Sequence, residues 1–597
     1  MTFDNTLKDY MQLYLSEEGL QCDGKGDLEV DFAYKDGNTG VGTKSSTVTM
    51  EDGGIVGGAA SKDTIVVLVA LYRYENVTIR SLHSLLEDID GIKPYTIFYQ
   101  DYGTNTFNLP TVAEEELFVK QIINLAPSIV GISVLSPYVP IAKRLTKLIR
   151  DNSSSLVIWG GTHPTISPES CIKETDIICV GEGEGAISDL VRHIRDGKDY
   201  MDIKNLWINN GTEIIKNQMR SLLQDLDSLP FPSYGNNSFF FINSNKMTRD
   251  DPALLSKTIT IQSSRGCPYV CSYCVNSLLR SKFKDLGNFT RTRSVNSIIK
   301  EIKELIPRFK NTKLVFFEDE GFATDIQWLD EFESRYKNEI GLPFGVEYNP
   351  MEIKKDPEIL NKLHRSGLHT VEFGIQSGSD HIRNHIFHRR GKNKELIDLA
   401  NEMAGYGINI NYHLILDNPY ETEESLVTTI NLLLQLPKPL NFTLYSLQYF
   451  PDYPLTRTAI LDKHIKAEDA SVDTLLERTS RGFLFKPKLL PKNRKEKIQN
   501  IIWLFARRSP PKLSPKNRKE KIQNIIWLIT KKRPSDRTIK YILFKDSLFS
   551  KLYFYYLNFV QFHSIHLRES PLFPYLFRIY TLYTWLFCYR KHRDYRL

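Results

Sequence analysis

The sequence predicts an α/β protein built from two consecutive series of alternating strands and helices. Short, continuous apolar runs recur between residues 64 and 181, amphipathic helical patterns separate them, and a second alternating series begins near residue 258. A short run of continuously apolar residues is typical of a parallel strand that is buried on both faces. We therefore expect a doubly wound parallel sheet followed by a partial or full βα barrel, with an α-helical C-terminal region.

The first series supplies the candidate elements of the N-terminal domain. Its strands are TIVVLVAL at 64–71, IVGISVL at 129–135, LVIWGG at 156–161 and DIICVG at 176–181. Its helices are VTIRSLHSLLEDI, VAEEELFVKQIINLA, YVPIAKRLTKLIRDN and EGAISDLVRHIRDG. We assign residues 63–200 to this domain. The polar, Gly-rich leader at 1–62 is expected to be poorly ordered.

The second series predicts a barrel of six βα units over 251–465, after a connector at 201–250 with a Pro-rich end. Its strands are TITIQSS at 258–264, KLVFFED at 313–319, FGVEYN at 344–349, TVEFGIQ at 370–376, a run at 410–417 and FTLYSLQYF at 442–450. In such barrels the active-site loops follow the carboxyl ends of the strands.

The C-terminal region at 466–597 is basic and aromatic. Residues 486–540 hold 18 Lys or Arg against three acids, and the segment PKNRKEKIQNIIWL at 491–504 recurs unchanged at 515–528. Two copies are too few for a solenoid. Three interpretations stay open: a helical subdomain that packs on the barrel, a peripheral contact with an anionic membrane, or contact with nucleic acid. We do not expect a nucleic-acid partner.

The cysteine content indicates a reducing, cytoplasmic location. The chain has 597 residues and seven cysteines, and three of them lie within eight residues. This odd, clustered set is not the disulfide framework of a secreted protein. The N-terminus lacks the pattern of a signal peptide. No stretch reaches the roughly 18 apolar residues of a membrane-spanning helix.

The motif that carries the strongest chemical signal is SSRGCPYVCSYC at 263–274, with Cys267, Cys271 and Cys274 spaced C-x3-C-x2-C. Thiolates hold iron–sulfur clusters, and three ligands for four irons leave one iron open to a small molecule. A structural zinc site would need a fourth ligand, and the nearest downstream histidines, His364 and His369, are far away in sequence.

The spacing resembles the signature of the radical S-adenosylmethionine superfamily, at the end of the first barrel strand, and the resemblance covers about 258–450. The aromatic Tyr273 before the last cysteine is also typical of that family. The resemblance implies a 4Fe–4S cluster whose open iron binds S-adenosylmethionine. It also implies cleavage of that cofactor to a 5′-deoxyadenosyl radical, with an electron donor such as flavodoxin or ferredoxin.

The resemblance also implies contacts to S-adenosylmethionine at the later strand ends. Glu318 and Asp319 follow the second strand, where they can contact the methionine amino group or cap the next helix. Glu347 ends the third strand. The expected set after the fourth and fifth strands comprises Gly374, Gln376, Ser377, Asp417 and Asn418. Relatives often carry Glu where this chain has Gln376, and an amide makes a different contact.

Two Gly-rich loops in the first domain, WGGTHPT at 159–165 and VGEGEG at 180–185, resemble the cobalamin-binding module of cobalamin-dependent radical enzymes. Such turns allow a ligand to approach the carboxyl edge of a parallel sheet. The expected contacts are Ser133, Ser136, Gly160, Gly161, His163, Gly181, Glu182 and Gly183. A D-x-H-x-x-G motif, which supplies a lower cobalt ligand in mutases, is missing after the first strand, where Tyr72 and Tyr74 stand. We therefore expect a non-histidine lower ligand or none.

These features predict a cobalamin-dependent radical enzyme that methylates an unactivated carbon or phosphorus of a small, natural-product or lipid-like substrate. An alternative is a radical oxidative cyclase that resembles the anaerobic magnesium-protoporphyrin monomethyl ester cyclase. A third hypothesis is a non-catalytic iron–sulfur or corrinoid sensor. The polar tips of the barrel strands argue against the sensor.

Overall fold

The computed structural model describes residues 63–480, except 102–108 and 324, together with six residues between 493 and 502. The leader at 1–62 and the second copy of the repeated segment lie outside the described residues. So does the aromatic tail at 541–597. The predictions made for these parts of the chain stay predictions.

The first domain is built on a nine-stranded sheet. Its strands are β1 (Thr64–Leu71), β2 (Ile92–Tyr99), β3 (Ile129–Ser133), β4 (Leu156–Gly160), β5 (Ile177–Cys179), β6 (Leu206–Asn209), β7 (Ile214–Lys216), β8 (Phe239–Asn243) and β9 (Lys246–Thr248). The order across the sheet is β7-β6-β5-β4-β3-β1-β2-β8-β9. β2, β1, β3, β4 and β5 run parallel, so their carboxyl ends share one edge.

Helices cover both faces of this sheet, as a doubly wound arrangement requires. They are α1 (Val77–Glu87), α2 (Val112–Leu125), α3 (Val139–Asn152), α4 (Thr162–Ile166), α5 (Pro168–Cys171) and α6 (Glu184–Arg195). α2 begins with a capping box in which the Thr111 side chain and Glu114 satisfy each other's backbone N–H groups. Two separate apolar cores lie on the two faces of the sheet.

The structure differs from the sequence prediction at the connector. Residues 201–250 contribute four strands, β6 to β9, to the two edges of the first sheet. The pairs β5–β6, β6–β7 and β8–β9 are antiparallel. The outermost strands β7 and β9 are short and largely exposed, so they lack the apolar run that marked the central strands, whereas β8 is a buried apolar run that the sequence analysis did not assign.

The second sheet has six parallel strands in sequential order, which is the partial barrel that the sequence predicts. They are β10 (Thr258–Ile261), β13 (Leu314–Phe317), β14 (Phe344–Tyr348), β15 (Leu368–Gln376), β16 (Asn409–Leu416) and β17 (Asn441–Ser446). The antiparallel hairpin of β11 (Ser264–Arg265) and β12 (Arg291–Thr292) lies between the first two.

Helices follow the barrel strands, and most of them bury one continuous core against the sheet. They are α7 (Val275–Lys282), α8 (Val295–Leu305), α9 (Ile326–Glu339), α10 (Pro350–Ile353), α11 (Pro357–Ser366), α12 (Asn393–Gly405), α13 (Glu423–Gln435), α14 (Pro454–Leu461) and α15 (Val472–Ser480), with a π-helix at Ile382–Ile386. Ile498 and Ile502, in the first copy of the repeated segment, are buried in this core. These two residues of the first copy therefore pack on the barrel.

Within the part of the chain that the structure describes, we find no helix that has both the length and the apolar character needed to cross a membrane.

Candidate active site

The three clustered cysteines lie in the loop between β11 and α7, beyond the carboxyl end of β10. Ser272 fixes the middle of this loop. Its backbone N–H donates to Phe387 O at 3.1 Å and its hydroxyl donates to Ile386 O at 2.6 Å, while its carbonyl accepts from Leu455 N at 2.9 Å. The loop is thus held between the segments that follow β15 and β17, at the mouth of the barrel.

The thiol groups fit the ligand set of an iron–sulfur cluster. All three cysteines are free, Cys271 is buried, and Cys267 and Cys274 are half-buried. Burial raises the pKa of the Cys267 and Cys274 thiols to about 12, so their thiolate forms need a bound cation. Among the described residues, no group of three or more His, Cys, Asp or Glu side chains converges on a single metal ion. Thiolates that bind separate irons of a cluster need not converge in that way.

Arg389 is a site residue that the sequence prediction missed. Its guanidinium lies within hydrogen-bond reach of Cys271 and Tyr273, and its Nε donates to Gly374 O at 3.1 Å. A Cβ at position 374 would lie 2.6 Å from Arg389 Nη2, so only glycine leaves room for this arginine. The signal was the basic pair RR at 389–390 in the loop after the fourth strand. A cation beside the cysteine loop suits a carboxylate ligand.

The inner face of the barrel sheet is polar. Alternate strand residues such as Val346, Phe373 and Tyr412 belong to the outer core against the helices. Residues between them therefore face the lumen, because side chains alternate along a strand. On or directly after the strands, the polar residues and the glycine at these positions are Thr260, Gln262, Glu318, Glu347, Glu372, Gly374, Gln376, Asn411, His413 and Thr443, while Phe316, Ile415 and Tyr445 are apolar or aromatic exceptions.

A hydrogen-bonded group on neighbouring strands lies within this lumen. His413 Nε2 lies 2.5 Å from Glu372 Oε2, and Asn411 Nδ2 donates to the same carboxylate oxygen at 2.6 Å. Asn411 also donates to Thr443 Oγ1 at 2.9 Å. The sequence analysis missed this group. The sequence feature that could have indicated it is the presence of polar side chains, Glu372 and His413, within the largely apolar strands β15 and β16.

Several residues predicted to contact S-adenosylmethionine lie around this lumen. Glu347 is exposed; desolvation by the surrounding protein raises the pKa of its carboxyl, and the nearby His413 and Arg389 oppose that rise. Gln376 has a positive φ of 67°, and its Oε1 is buried without a hydrogen-bond partner among the described residues. Ser377 is buried and donates to Glu421 at 3.3 Å. The Tyr273 ring packs edge-to-face on Phe387, with centroids 4.9 Å apart.

Glu318 and Asp319 have different environments from those that the sequence suggested. Glu318 forms an ion pair with Arg73, which follows β1 of the first domain. Asp319 is buried, and its carboxylate accepts four hydrogen bonds from the backbone and hydroxyl groups of Ser263 and Ser264. It holds the residues that precede the cysteine loop, so we correct its predicted role from a cofactor contact to a structural one.

The predicted cobalamin-binding loops meet at the carboxyl edge of the first sheet. Ser133 and Gly160 are register partners at the ends of β3 and β4. Gly161 has φ of 104°, and a Cβ there would lie 3.2 Å from the backbone of Val134. A Cβ at Gly160 would meet only Cys179 Cβ, at 3.9 Å. The end of β4 thus leaves room for a ligand close to the backbone. Gly181 and Gly183 lie in the next loop along the edge.

His163 and Ser136 bind each other at this edge. Ser136 Oγ lies 2.9 Å from His163 Nδ1, and both side chains are buried. Burial lowers the pKa of the imidazole to about 4, so His163 is neutral near pH 7. Tyr72, at the end of β1, stacks on Tyr138 with centroids 4.9 Å apart.

Glu182 has a role that the sequence did not reveal. Its carboxylate is an ion-pair partner of Arg265 and Arg291, which face each other in the β11–β12 pair, and the cysteine loop and α7 lie between these two strands. Leu223 N also donates to it, at 2.8 Å. This carboxylate is therefore engaged by the barrel domain, and the predicted cobalamin contact at position 182 would have to come from the backbone.

Glu421 should make the stability of the barrel pH-dependent. Burial raises the pKa of its carboxyl to about 8, against about 4.3 in an unfolded chain. The folded state then binds the extra proton between these values, so the free energy of unfolding falls as the pH rises from about 4.3 to 8. We expect Glu421→Gln to remove one to a few kcal/mol of this dependence, since one pKa unit is about 1.4 kcal/mol. Urea unfolding at pH 6 and pH 9 measures it. The exposed Glu424→Gln is the control, and equal pH dependence in the two variants would contradict the assignment.

Comparison with known proteins supports both halves of the site. Residues 261–433 match the radical SAM superfamily, and residues 64–191 match the B12 binding domain. The chain is 27% identical over 338 residues to an uncharacterized methyltransferase of Pyrococcus horikoshii, across 55% of this chain and 68% of that protein. It is 22% identical over 295 residues to the anaerobic magnesium-protoporphyrin IX monomethyl ester cyclase of Rubrivivax gelatinosus, across 47% of this chain and 49% of that one.

The fold is similar to that of the cobalamin-dependent S-adenosylmethionine radical enzyme OxsB, whose structure contains aqua-cobalamin and S-adenosylmethionine. The TM-score is 0.58 at 16% sequence identity, and the match covers 85% of this chain and 76% of that one. The chain spans about two thirds and one half of the two curated relatives named above. With both domains present in the same order, the chain belongs to the cobalamin-binding radical S-adenosylmethionine superfamily, whose cofactors are a 4Fe–4S cluster, S-adenosylmethionine and cobalamin.

Proposed function

We propose that this protein is a methyltransferase that acts on an unactivated carbon or phosphorus centre of a small molecule. One observation carries the proposal. The cysteine loop of the barrel and the Gly-rich edge of the cobalamin domain are joined by direct ion pairs between Arg265 and the loop residues Glu182 and Glu184. These pairs hold the cysteine loop next to that edge, which supports the proposal that the two cofactors bind close to each other. The Pyrococcus horikoshii relative, named a methyltransferase, supports this choice of reaction.

When bound, the cluster with S-adenosylmethionine supplies a 5′-deoxyadenosyl radical, and cobalamin supplies the methyl group. In this proposal Cys267, Cys271 and Cys274 hold the cluster. Arg389, placed beside Cys271, binds the carboxylate of S-adenosylmethionine. The unpartnered Oε1 of Gln376 accepts a hydrogen bond from an amino or hydroxyl group of the same cofactor.

Glu347 and the Glu372–His413 pair line the space below the cysteine loop. Glu347 forms no hydrogen bond with another residue in the described part of the chain, and its side chain is exposed. It can accept hydrogen bonds from a ligand that enters the barrel. Glu372 is already held by His413 and Asn411, so its carboxylate is fixed before any ligand binds.

On the cobalamin side, Gly160 and Gly161 let a large ring approach the sheet edge. The neutral His163 is held through its Nδ1 by Ser136. We propose that it lines the site, and the missing D-x-H-x-x-G motif supports a cobalt without a histidine ligand. A low-potential donor such as flavodoxin or ferredoxin would supply the electron that the radical step requires.

Anaerobic reconstitution with iron, sulfide and hydroxocobalamin, followed by S-adenosylmethionine and titanium(III) citrate, tests the proposal without a substrate. We expect both 5′-deoxyadenosine and S-adenosylhomocysteine, measured by mass spectrometry, because each marks one of the two uses of S-adenosylmethionine. Deoxyadenosine alone would instead favour the cyclase-type reaction. Neither product, with the cluster intact in its absorption spectrum, would favour the non-catalytic sensor.

A further inference from the structure

A buried group of two arginines and two glutamates crosses from the cobalamin domain to the cysteine loop. Arg265 and Arg291 are directly paired residues of the β11–β12 hairpin. Glu182 and Glu184 lie at the start of α6, after the last parallel strand of the first sheet. Arg265 Nη2 lies 2.6 Å from Glu184 Oε1, and its Nη1 lies 3.2 Å from Glu182 Oε1. We call these four residues the hairpin clamp.

Glu182 is the centre of the hairpin clamp. Arg291 Nη1 lies 2.9 Å and 3.1 Å from its two carboxylate oxygens, and the same nitrogen donates to Leu223 O at 2.9 Å. Asn205 Nδ2 donates to the backbone carbonyl of Glu182 at 2.7 Å. The loop and the hairpin are therefore fixed by side-chain and backbone contacts together.

The hairpin clamp is electrically balanced and largely shielded from water. The side chains of Arg291 and Glu184 are 6% and 12% exposed, and those of Arg265 and Glu182 are each 19% exposed. Charges in such a site interact more strongly than charges on the surface.

The cysteine loop starts directly after the hairpin clamp. Arg265 is followed by Gly266, whose N–H donates to Glu320 Oε2 at 2.8 Å, and then by Cys267. The next fixed point is Ser272, bound to the segment after β15. A shift of Arg265 would therefore move the first cysteine relative to the other two.

We propose that Glu182 and Glu184 are positioning residues: through Arg265 and Arg291 they set the place of the cysteine loop relative to the cobalamin-binding edge. The structural part of this inference stands alone. Its effect on turnover, namely that the hairpin clamp couples the use of the two cofactors, rests on the proposed function. The acidic pair of the GEGEG loop thus acts on the barrel through its side chains, and only its glycines and backbone face the corrinoid.

Hydrogen exchange on the full chain tests the hairpin clamp, with and without reconstituted cofactors. We expect the double variant E182Q/E184Q to raise amide exchange in 262–275 and 289–293 by roughly tenfold or more, because charged partners are lost from a buried network. The matched control is Glu174→Gln, which breaks a surface pair with Lys143 in the same domain. Equal exchange in the double variant and the control would overturn the proposal.

Two further measurements separate positioning from general stability. If E182Q/E184Q does not fold, hydrogen exchange is measured instead on three milder variants: E184Q, R265Q and the double mutant E184Q/R265Q. The hairpin clamp requires the double mutant to exchange no faster than R265Q alone, and additive effects would contradict it. In turnover, E184Q should keep its iron content and lower the ratio of S-adenosylhomocysteine to 5′-deoxyadenosine by about tenfold. An unchanged ratio would refute the coupling, whereas a wild type that forms neither product would refute only the proposed function.

Discussion

Cys271→Ala is expected to abolish cluster binding and to lower formation of 5′-deoxyadenosine by at least about 100-fold. Mutation of a residue that only hydrogen-bonds to a metal ligand typically lowers metal affinity or activity 10- to 100-fold. Cys271 is proposed as a direct ligand, so its loss should cost at least as much. Its thiol is buried between Arg389 and Tyr273, where no other described thiol can replace it except Cys267 and Cys274, which the cluster already needs. Iron per chain, the visible absorption spectrum and deoxyadenosine after reduction measure the result.

The matched control for this prediction is Cys171→Ala. Cys171 is also buried and free, but it lies in α5 of the cobalamin domain, away from the cysteine loop. This variant should retain its iron and its deoxyadenosine formation. A Cys271→Ala protein that kept both its cluster and its deoxyadenosine would refute the assignment of the cysteine loop.

Asp251→Ala is expected to destabilise the protein by about 3–5 kcal/mol, because it would leave the charge of Arg80 buried without a counter-ion. Both side chains are almost completely inaccessible to solvent, and two bonds of 2.7 and 2.8 Å join them. Arg80 lies in α1 of the first domain, while Asp251 precedes the first barrel strand. The pair therefore ties the two domains together. Urea unfolding followed by circular dichroism measures the loss.

Asp151→Ala provides the comparison for this second effect. Asp151 pairs with Lys147 on the surface, where both side chains are more than half exposed. Exposed pairs contribute about 0–1 kcal/mol, so this variant should unfold close to the wild type. If the two variants lost similar amounts of unfolding free energy, the Arg80–Asp251 pair would not have the stabilising role that we assign to it.

Elements with a strong local pattern could be predicted from the sequence. β1 spans the same residues as its apolar run, TIVVLVAL, and α2 begins at the Thr111 capping box that precedes its helical pattern. Several strands escaped prediction, and two of them, β2 and β7, show that a weak local pattern was the reason. The second and third residues of β2 are Lys93 and Pro94, which interrupt its apolar run, and the edge strand β7 is largely exposed. Edge strands need no continuous apolar run, since one side meets solvent.

In the candidate site too, features that depend on neighbouring residues could be predicted, and contacts between distant residues could not. The spacing of the cysteines is a property of one short loop, and the glycines at 160–161 follow directly from a strand-to-helix turn. The partners of the charged residues are not local. Asp319 meets Ser263 and Ser264 across the barrel sheet, and Glu318 meets Arg73, which lies 245 positions earlier.

The sequence by itself determined the order of the two domains, the six-stranded barrel and the chemistry of the cysteine loop, because each depends on residues that are close together in the chain. Only the tertiary structure decided which carboxylates are already bound by other residues and which stay open to a ligand. Glu182 and Asp319 have the same acidic side-chain chemistry as Glu347, yet the first two are saturated by arginines or hydroxyls and the third is open to the lumen. Those partners come from segments distant in sequence, so only the assembled fold brings them together.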